Sequence, residues 1–253
     1  MKLSLRFLGV GSAQAPELGS ACAVLERAGE PLLMIDCGPE ALQAYLQHYG
    51  APPRALFVTH THMDHVGGLE RLFYKVYFDP GLRGRVRLFA HAALVPLLQA
   101  RTADYPEVLA EGGANFWDAF ALVPCSRGFW CEGLWFDVFA TRHHAPGTSF
   151  GLALAGSFTW TGDTRPIPEV LAVFSADGGP IAHDCALHGN PSHAGLDDLE
   201  REYPAGMLER LVLYHHASEA DADAMRARGR RVARRGDVIE LAAPSARSIV
   251  EAG

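Results

Sequence analysis

The chain has 253 residues, 49% of them hydrophobic and 20% charged, with 26 glycines and 16 prolines spread along turns; it can bury a sizeable core, and a single domain over residues 1–253 is predicted. Its formal net charge is −7, the wrong sign for gripping a nucleic acid through many phosphates, which is therefore not expected as a partner. Cys22, Cys37, Cys125, Cys131 and Cys185 are odd in number and form no Cys-x-x-Cys, which argues against a disulfide framework or zinc ribbon and for reduced thiols in a cytoplasm, while no run is long or apolar enough to span a membrane.

Leu3, Leu5 and Phe7 alternate with Lys2, Ser4 and Arg6, predicting an edge or half-buried strand; Arg6 interrupts any apolar signal region, so Ala13-Gln14-Ala15 is not read as a cleavage site. Leu32 to Ile35 predicts a strand that runs into Asp36-Cys37-Gly38, where Asp36 is either a helix cap before Pro39 or part of a site. The apolar run Leu56-Phe57-Val58 leads into His60-Thr61-His62-Met63-Asp64-His65. Packing does not explain such a density of ligating side chains, because each needs solvent or a partner for its ring nitrogens or carboxylate. His60 and His62 can point the same way off an extended segment, and Asp64 and His65 follow as the chain turns, so the two pairs can face two ions. The zincin spacing His-Glu-x-x-His does not match.

Residues 66–135 carry Tyr74, Tyr77, Phe78, Tyr105, Phe116, Trp117 and Phe120, which would wall a substrate pocket, form a homodimer face or pack as ordinary core. Helical spacing favours core for Leu94, Leu97 and Leu98, and His91 reads as a satisfied residue at the end of a strand Val86 to Ala90. Further on, Val138 to Thr141 precedes His143-His144, Phe158 to Trp160 closes on Gly162-Asp163, Ile181 to Cys185 contains His183 and Asp184, and Leu211 to Tyr214 leads to His215-His216. A helix is predicted from Ser218 to Arg228, ended by Gly229. The basic clusters Arg83 to Arg87 and Arg226 to Arg235 read as solvated faces or dipole partners.

The segment His60 to His65 resembles the His-x-His-x-Asp-His signature of the metallo-β-lactamase-fold hydrolases, and the resemblance extends over nearly the whole chain. It implies an α/β (α+β) protein, an αββα four-layer sandwich, with which the two strand-rich halves of the sequence, Leu3 to about Val123 and about Phe129 to Leu241, agree. It also implies His60, His62 and His143 on one metal, Asp64, His65 and His215 on the other, and Asp163 bridging both. The register counted from Gly133-Leu134 is similar to that of the carbon–phosphorus-lyase accessory phosphodiesterases; it selects His143 over His144, and His215 is preferred to His216. Asp36 would accept a hydrogen bond from a ligand histidine. Zinc is the default ion, with manganese or iron also compatible. Two ions about 3.5–4 Å apart would hold a bridging water whose pKa falls from about 15.7 towards about 7, giving a hydroxide nucleophile.

Between Asp163 and His215 the chain resembles the phosphodiesterase branch that includes ribonuclease Z. That implies Asp184 orienting His193, which protonates the leaving oxygen, with Asp64 also in the catalytic set and His183 and His188 as bystanders. The stretch Gly19 to Val24 has only Cys22 and no room for the accessory enzymes' structural zinc insertion, and nothing after Asp163 matches the transfer-RNA arm of ribonuclease Z. The expected activity is therefore hydrolysis of a small phosphodiester, a small-molecule substrate that Arg142 would meet unless strand alternation turns it away. Thioester, lactone or β-lactam hydrolysis, or a non-hydrolytic iron-bearing role, are the alternatives.

Overall fold

The computed structural model describes residues 2–102, 104–105 and 112–249. Its strands are β1 (Leu3–Gly9), β2 (Cys22–Arg27), β3 (Glu30–Ile35), β4 (Ala55–Val58), β5 (Val86–His91), β6 (Asp104–Tyr105), β7 (Ala114–Asn115), β8 (Phe120–Cys125), β9 (Gly128–Cys131), β10 (Leu134–Ala140), β11 (Phe150–Leu154), β12 (Phe158–Trp160), β13 (Ile181–Asp184), β14 (Leu211–Tyr214) and β15 (Val238–Leu241). Seven form one sheet in the order β15-β1-β2-β3-β4-β5-β8, six form a second in the order β14-β13-β12-β11-β10-β9, and β6 pairs with β7. In the first sheet β3, β4, β5 and β8 are parallel, and in the second β12, β13 and β14 are parallel.

The two-residue period of the strands separates the layers. On β13 and β14, Ala182, Val212 and Tyr214 join the core between the sheets, whereas Ile181, Leu211 and Leu213 face the other way into a second cluster. Phe57 and Phe89 stack on Phe129 at 5.5 and 4.2 Å across the inter-sheet core, and Trp160 stacks on Tyr214 at 4.1 Å. Helices α1 (Ala41–Tyr49), α2 (Met63–Val66) and α3 (Leu69–Tyr77) belong to the first half, where α1 and α3 bury Leu42, Tyr45, Leu72 and Phe73. Next come α4 (Val95–Arg101) and α5 (Phe116–Ala119). Helices α6 (Pro168–Phe174), α7 (Leu196–Glu202), α8 (Ala205–Leu208) and α9 (Glu219–Ala227) follow, and Leu171, Leu199 and Met225 cover the outer face of the second sheet. The result is the expected α/β sandwich, with two mixed sheets between helices.

Strand β1 is not an edge: β15 returns to pair with it antiparallel, Leu3 opposite Leu241, so the last strand belongs to the first sheet and the chain is not two sequential halves. On the polar side of β1 Ser4 is buried and Arg6 half-buried, and Ser4 Oγ and Arg6 Nε donate to Glu26 at 2.9 and 2.7 Å. Leu97 is exposed, whereas Leu98 of α4 and Leu94 just before it are buried. Helix α9 begins where expected, Ser218 Oγ accepting from Asp221 N at 3.1 Å, and Gly229 follows its end at φ +79°. The arginines around it are paired: Arg226 meets Asp223, Arg228 meets Asp197 and Arg230 meets Glu200 at 2.7, 2.7 and 2.9 Å. Phe116 and Phe120 are core residues, and none of the described aromatics of the 66–135 stretch lines the cleft described below; the side chain of Tyr105 lies outside the described residues. All five cysteines are buried and free, and among the described residues no helix is long and apolar enough to cross a membrane.

Candidate metal centre

Parallel pairing sets Ile35 opposite Phe57, so the ends of β3 and β4 deliver Asp36 and Thr59 side by side. Asp36 turns out of its strand at φ +61°, a left-handed conformation that Asp tolerates better than most residues. Its carboxylate accepts from Thr59 N and Thr59 Oγ1 at 2.8 Å each and lies 2.8 Å from His65 Nδ1. It does not cap α1, whose N-terminal flank is Glu40. Burial raises the Asp36 carboxyl above its ordinary pKa, an effect that His65 and Thr59 oppose. Helix α2, which carries Asp64, passes so close that a Cβ at Gly38 would sit 2.0 Å from Asp64 O, so only glycine fits there.

The second sheet brings its own side chains to the same edge. Strand β10 ends just before Thr141 and His143, Gly162 at φ +63° turns the chain from β12 into Asp163, and His215 follows β14 at φ +69°. Phe150 N donates to Thr59 O at 3.0 Å and joins the two sheets beside the site.

Three overlapping groups result, within each of which the ligating atoms lie within 4.8 Å of one another: two donor groups, His60, His62, His143 and Asp163, and Asp64, His65, Asp163 and His215, and a further one of Asp163, Asp184, His193 and His215. The shared Asp163 has Oδ2 3.6 Å from His60 Nε2, 3.7 Å from His143 Nε2 and 3.3 Å from His215 Nε2, with Oδ1 3.3 Å from His65 Nε2. Burial alone would raise the Asp163 carboxyl, and the His215, His65 and His60 rings reverse this and hold it well below the usual carboxylate range.

Hydrogen bonding on the outer edges of the rings shows what the inner edges can do. His65 Nδ1 faces the Asp36 carboxylate, His143 Nδ1 faces Ser192 O at 2.9 Å, His215 Nδ1 faces Asp184 Oδ1 at 3.4 Å, and His60 Nδ1 meets the Thr59 hydroxyl, itself a donor to Asp36, at 3.1 Å. Each partner can accept a proton from Nδ1, which frees the Nε2 atoms to face inward as ligand atoms once a cation displaces any proton they carry; without one, the protonated rings of His65 and His215, which burial opposes, are favoured by the carboxylates around them. Inward nitrogens meet one another: His62 Nδ1 lies 3.1 Å from both His60 Nε2 and His143 Nε2, contacts that bare lone pairs cannot turn into a set of hydrogen bonds. His65 Nε2 and Asp163 Oδ1 are buried without a hydrogen-bond partner. Neutral imidazoles backed by acceptors and converging with carboxylates fit divalent cations.

His144 stands outside both groups at φ +52°, largely exposed. His216 is buried with neither ring nitrogen bonded, and burial pushes its pKa down to about 4.

A third cluster adjoins the second. Asp184 Oδ2 lies 2.8 Å from His193 Nδ1 and accepts from Thr164 N at 2.9 Å. Although burial lowers the pKa of His193, its hydrogen bond to Asp184 and the Asp184 charge reverse that and raise it. His183 is structural, its Nε2 2.6 Å from the Tyr203 hydroxyl. The guanidinium of Arg142 is turned away, donating to Pro166 O and Glu169 at 2.7 Å each.

The open side of these groups is a cleft of about 480 Å³ whose walls include Ser12, Gln14, His144, His188, Asn190 and Asp221. His188, expected as a bystander, is thus a wall residue. A cavity of about 660 Å³ behind the 187–195 loop holds none of the donors. Sequence reasoning missed Thr59, the carbonyl of Ser192 and the cleft residues Ser12 and Gln14, since a backbone acceptor or a lone hydroxyl has no distinctive spacing.

The family model for the Anti-Pycsar protein Apyc1 matches residues 3–239. The chain belongs to that family. It is 32% identical over 232 residues to an Apyc1 protein of Paenibacillus xerothermodurans, covering 87% of this chain and 90% of the relative. Among solved structures, it is similar to a diphosphatase of the PhnP family, with a TM-score of 0.74, 17% identity and 95% and 97% of the two chains covered. It is also similar to the metallo-β-lactamase-fold protein YhfI of Bacillus subtilis, with a TM-score of 0.71, 14% identity and 95% and 100% covered. The Apyc1-family chain thus has the metallo-β-lactamase fold, and its family, fold and converged His/Asp groups support a metal-dependent hydrolase.

Proposed function

We propose that this chain, as a single domain over residues 1–253, is a dinuclear metal phosphodiesterase acting on a small phosphodiester of about one nucleotide's size. The observation that carries this reading is the Asp184–His193 pair at 2.8 Å beside the two donor groups. A phosphodiester needs three things at once: neutralisation of its charge, an activated water, and a proton for the departing oxygen.

His60, His62, His143 and Asp163 would hold one ion, and Asp64, His65, Asp163 and His215 the other. Zinc is the default for such nitrogen and carboxylate donors. Bound there, two divalent ions supply charge neutralisation for the phosphoryl oxygens and acidify a water enough for attack at neutral pH.

The remaining work falls to the chain. Asp184 holds His193 through Nδ1, which leaves Nε2 to give its proton to the leaving oxygen in the cleft. The other oxygen of Asp184 makes no hydrogen bond and lies 3.4 Å from His215 Nδ1, so one carboxylate adjoins members of both the metal-binding and proton-donating sets. The cleft volume of about 480 Å³ suits one nucleotide. Among its described lining residues there is no lysine or arginine to take a second phosphate, which makes a singly charged diester, such as a cyclic mononucleotide, the class to try first.

The test is elemental analysis of the purified protein together with turnover of bis(p-nitrophenyl) phosphate and a panel of cyclic mononucleotides. About two zinc or manganese ions per chain with turnover of diesters is the expected result. Two metals with activity confined to thioesters or lactones would reject the phosphodiesterase reading, and bound iron with redox activity would reject hydrolysis.

A further inference from the structure

The proton-donor candidate sits on a segment with little means of holding itself. From Leu187 to Ala194 the chain has no helix or strand, and the isolated bridge between Ala186 and Gly195 closes it. Proton transfer in a transition state requires placement within hydrogen-bond reach, and an error near 1 Å costs on the order of 100-fold.

Backbone groups hold part of the loop, Ala194 N donating to Thr164 O at 2.9 Å, Asn190 N to His193 O at 3.1 Å, and Ser192 O meeting His143 Nδ1 at 2.9 Å; two side chains add to them. Asn190 Oδ1 accepts from Ser192 N and His193 N at 2.8 and 3.0 Å, a local turn that shapes the segment without anchoring it. The side-chain anchor comes from outside: Arg165 Nη1 donates to Asn190 O at 2.9 Å and to His193 O at 3.1 Å, and pairs with Asp198 Oδ2 at 2.9 Å. Asp198 is itself fixed at the start of α7, accepting from Gly195 N at 3.1 Å. The backbone of Arg165 is held too, its N–H donating to Arg142 O at 2.9 Å.

Arg165 lies two residues beyond Asp163, and between them Thr164 N donates to Asp184. One tripeptide therefore touches the shared carboxylate, the carboxylate that orients His193 and the loop that carries it. We propose that Arg165 is a positioning residue for proton donation, holding the His193 backbone so that Asp184 and His193 keep their contact. The proposal rests on the phosphodiesterase reading of His193. Arg165 belongs to none of the donor groups and does not line the cleft that contains them.

A positioning role and a merely structural one differ in how the loss depends on the leaving group. p-Nitrophenolate departs with little protonation, whereas phenolate, with a conjugate-acid pKa of about 10, needs more. The experiment compares kcat for bis(p-nitrophenyl) phosphate and diphenyl phosphate in the metal-loaded protein and in Arg165→Met, Arg165→Lys and His193→Ala, with metal content measured in each. Arg165→Met is expected to lower the diphenyl phosphate rate roughly 10- to 100-fold while the p-nitrophenyl rate stays within about 3-fold and the metals remain. Arg165→Lys is expected to restore part of the loss.

Equal losses on both substrates, loss of metal, or no loss on either would overturn the role of Arg165. If His193→Ala shows no leaving-group dependence, the reading of His193 falls instead; if His193→Ala shows it and Arg165→Met does not, only the present proposal falls. Should Arg165→Met not fold, Asp198→Asn removes the counter-ion of Arg165, and an unchanged rate ratio in that variant rejects the proposal.

Discussion

Asp36, just past the end of β3, and His65, on α2, meet at 2.8 Å, both fully buried. The contact places the proton of His65 on Nδ1 and turns Nε2 toward Asp64 and Asp163, 3.5 and 3.3 Å away. Replacing Asp36 by Asn tests this relationship cleanly, because Asn also accepts the left-handed backbone at φ +61°. The amide is a poorer partner for an N–H donor, so Asp36→Asn is expected to weaken metal binding about 10- to 100-fold, read by competition with a chelator. Unchanged affinity would reduce the pair to a packing contact.

His193 should behave differently from the donors around it. Its Nδ1 is committed to Asp184 and its side chain is 20% exposed to the cleft. His193→Ala is therefore expected to keep both metals and lose about 10²- to 10⁴-fold in turnover, with the smallest loss on p-nitrophenyl esters. His62→Ala, by contrast, should abolish activity together with metal. Release of metal by His193→Ala would assign that ring to metal binding instead.

The donor positions were legible because His, Asp and strand-ending apolar runs have a spacing that packing does not require. Asp36 was ambiguous in the sequence, since a cap before proline and a histidine partner use the same carboxylate; the register of β3 on β4 resolves it. The place of β1 was misread because a strand with Ser4 and Arg6 on one side looks half-solvated, and only the long-range partner Glu26 accounts for a buried Ser4 and a half-buried Arg6 there. The return of β15 to the first sheet is likewise a long-range pairing with no local signal. Arg165 went unread because its acceptors, two backbone carbonyls and Asp198, lie 25 to 33 residues away.

The adjacent histidines 143 and 144 give a direct contrast. His143 is buried with Nδ1 on Ser192 O, while His144 is exposed on the cleft wall. His143→Ala should lower metal content well below that of His144→Ala, measured by elemental analysis after identical dialysis. Equal metal loss in the two variants would undo this assignment. A rise in KM in His144→Ala with metal retained would mark that ring as a substrate contact.

The last prediction concerns stability away from the metals. Glu26 is buried beneath β1 and α1 and accepts from Ser4 Oγ, Arg6 Nε and the Tyr49 hydroxyl, the latter two at 2.7 Å each. Burial raises its carboxyl, but the hydrogen bonds from Arg6, Tyr49 and Ser4 and the Arg6 charge outweigh this and leave the pKa below its ordinary 4.5. A group whose pKa is depressed on folding stabilises the protein fully above its unfolded value and ceases to do so as pH falls through the folded one. Glu26→Gln should therefore cost about 1.5–3 kcal/mol near neutrality, the range for hydrogen bonds to a charged group, and the gap should narrow as pH drops below 4.5. Urea unfolding of both proteins at matched pH measures it, and because only the difference is read, the stabilisation by bound metal cancels. A gap that stays constant down to pH values near 3 would mean that Glu26 acts by shape and neutral hydrogen bonding, and that its charge contributes nothing to holding β1 inside the sheet.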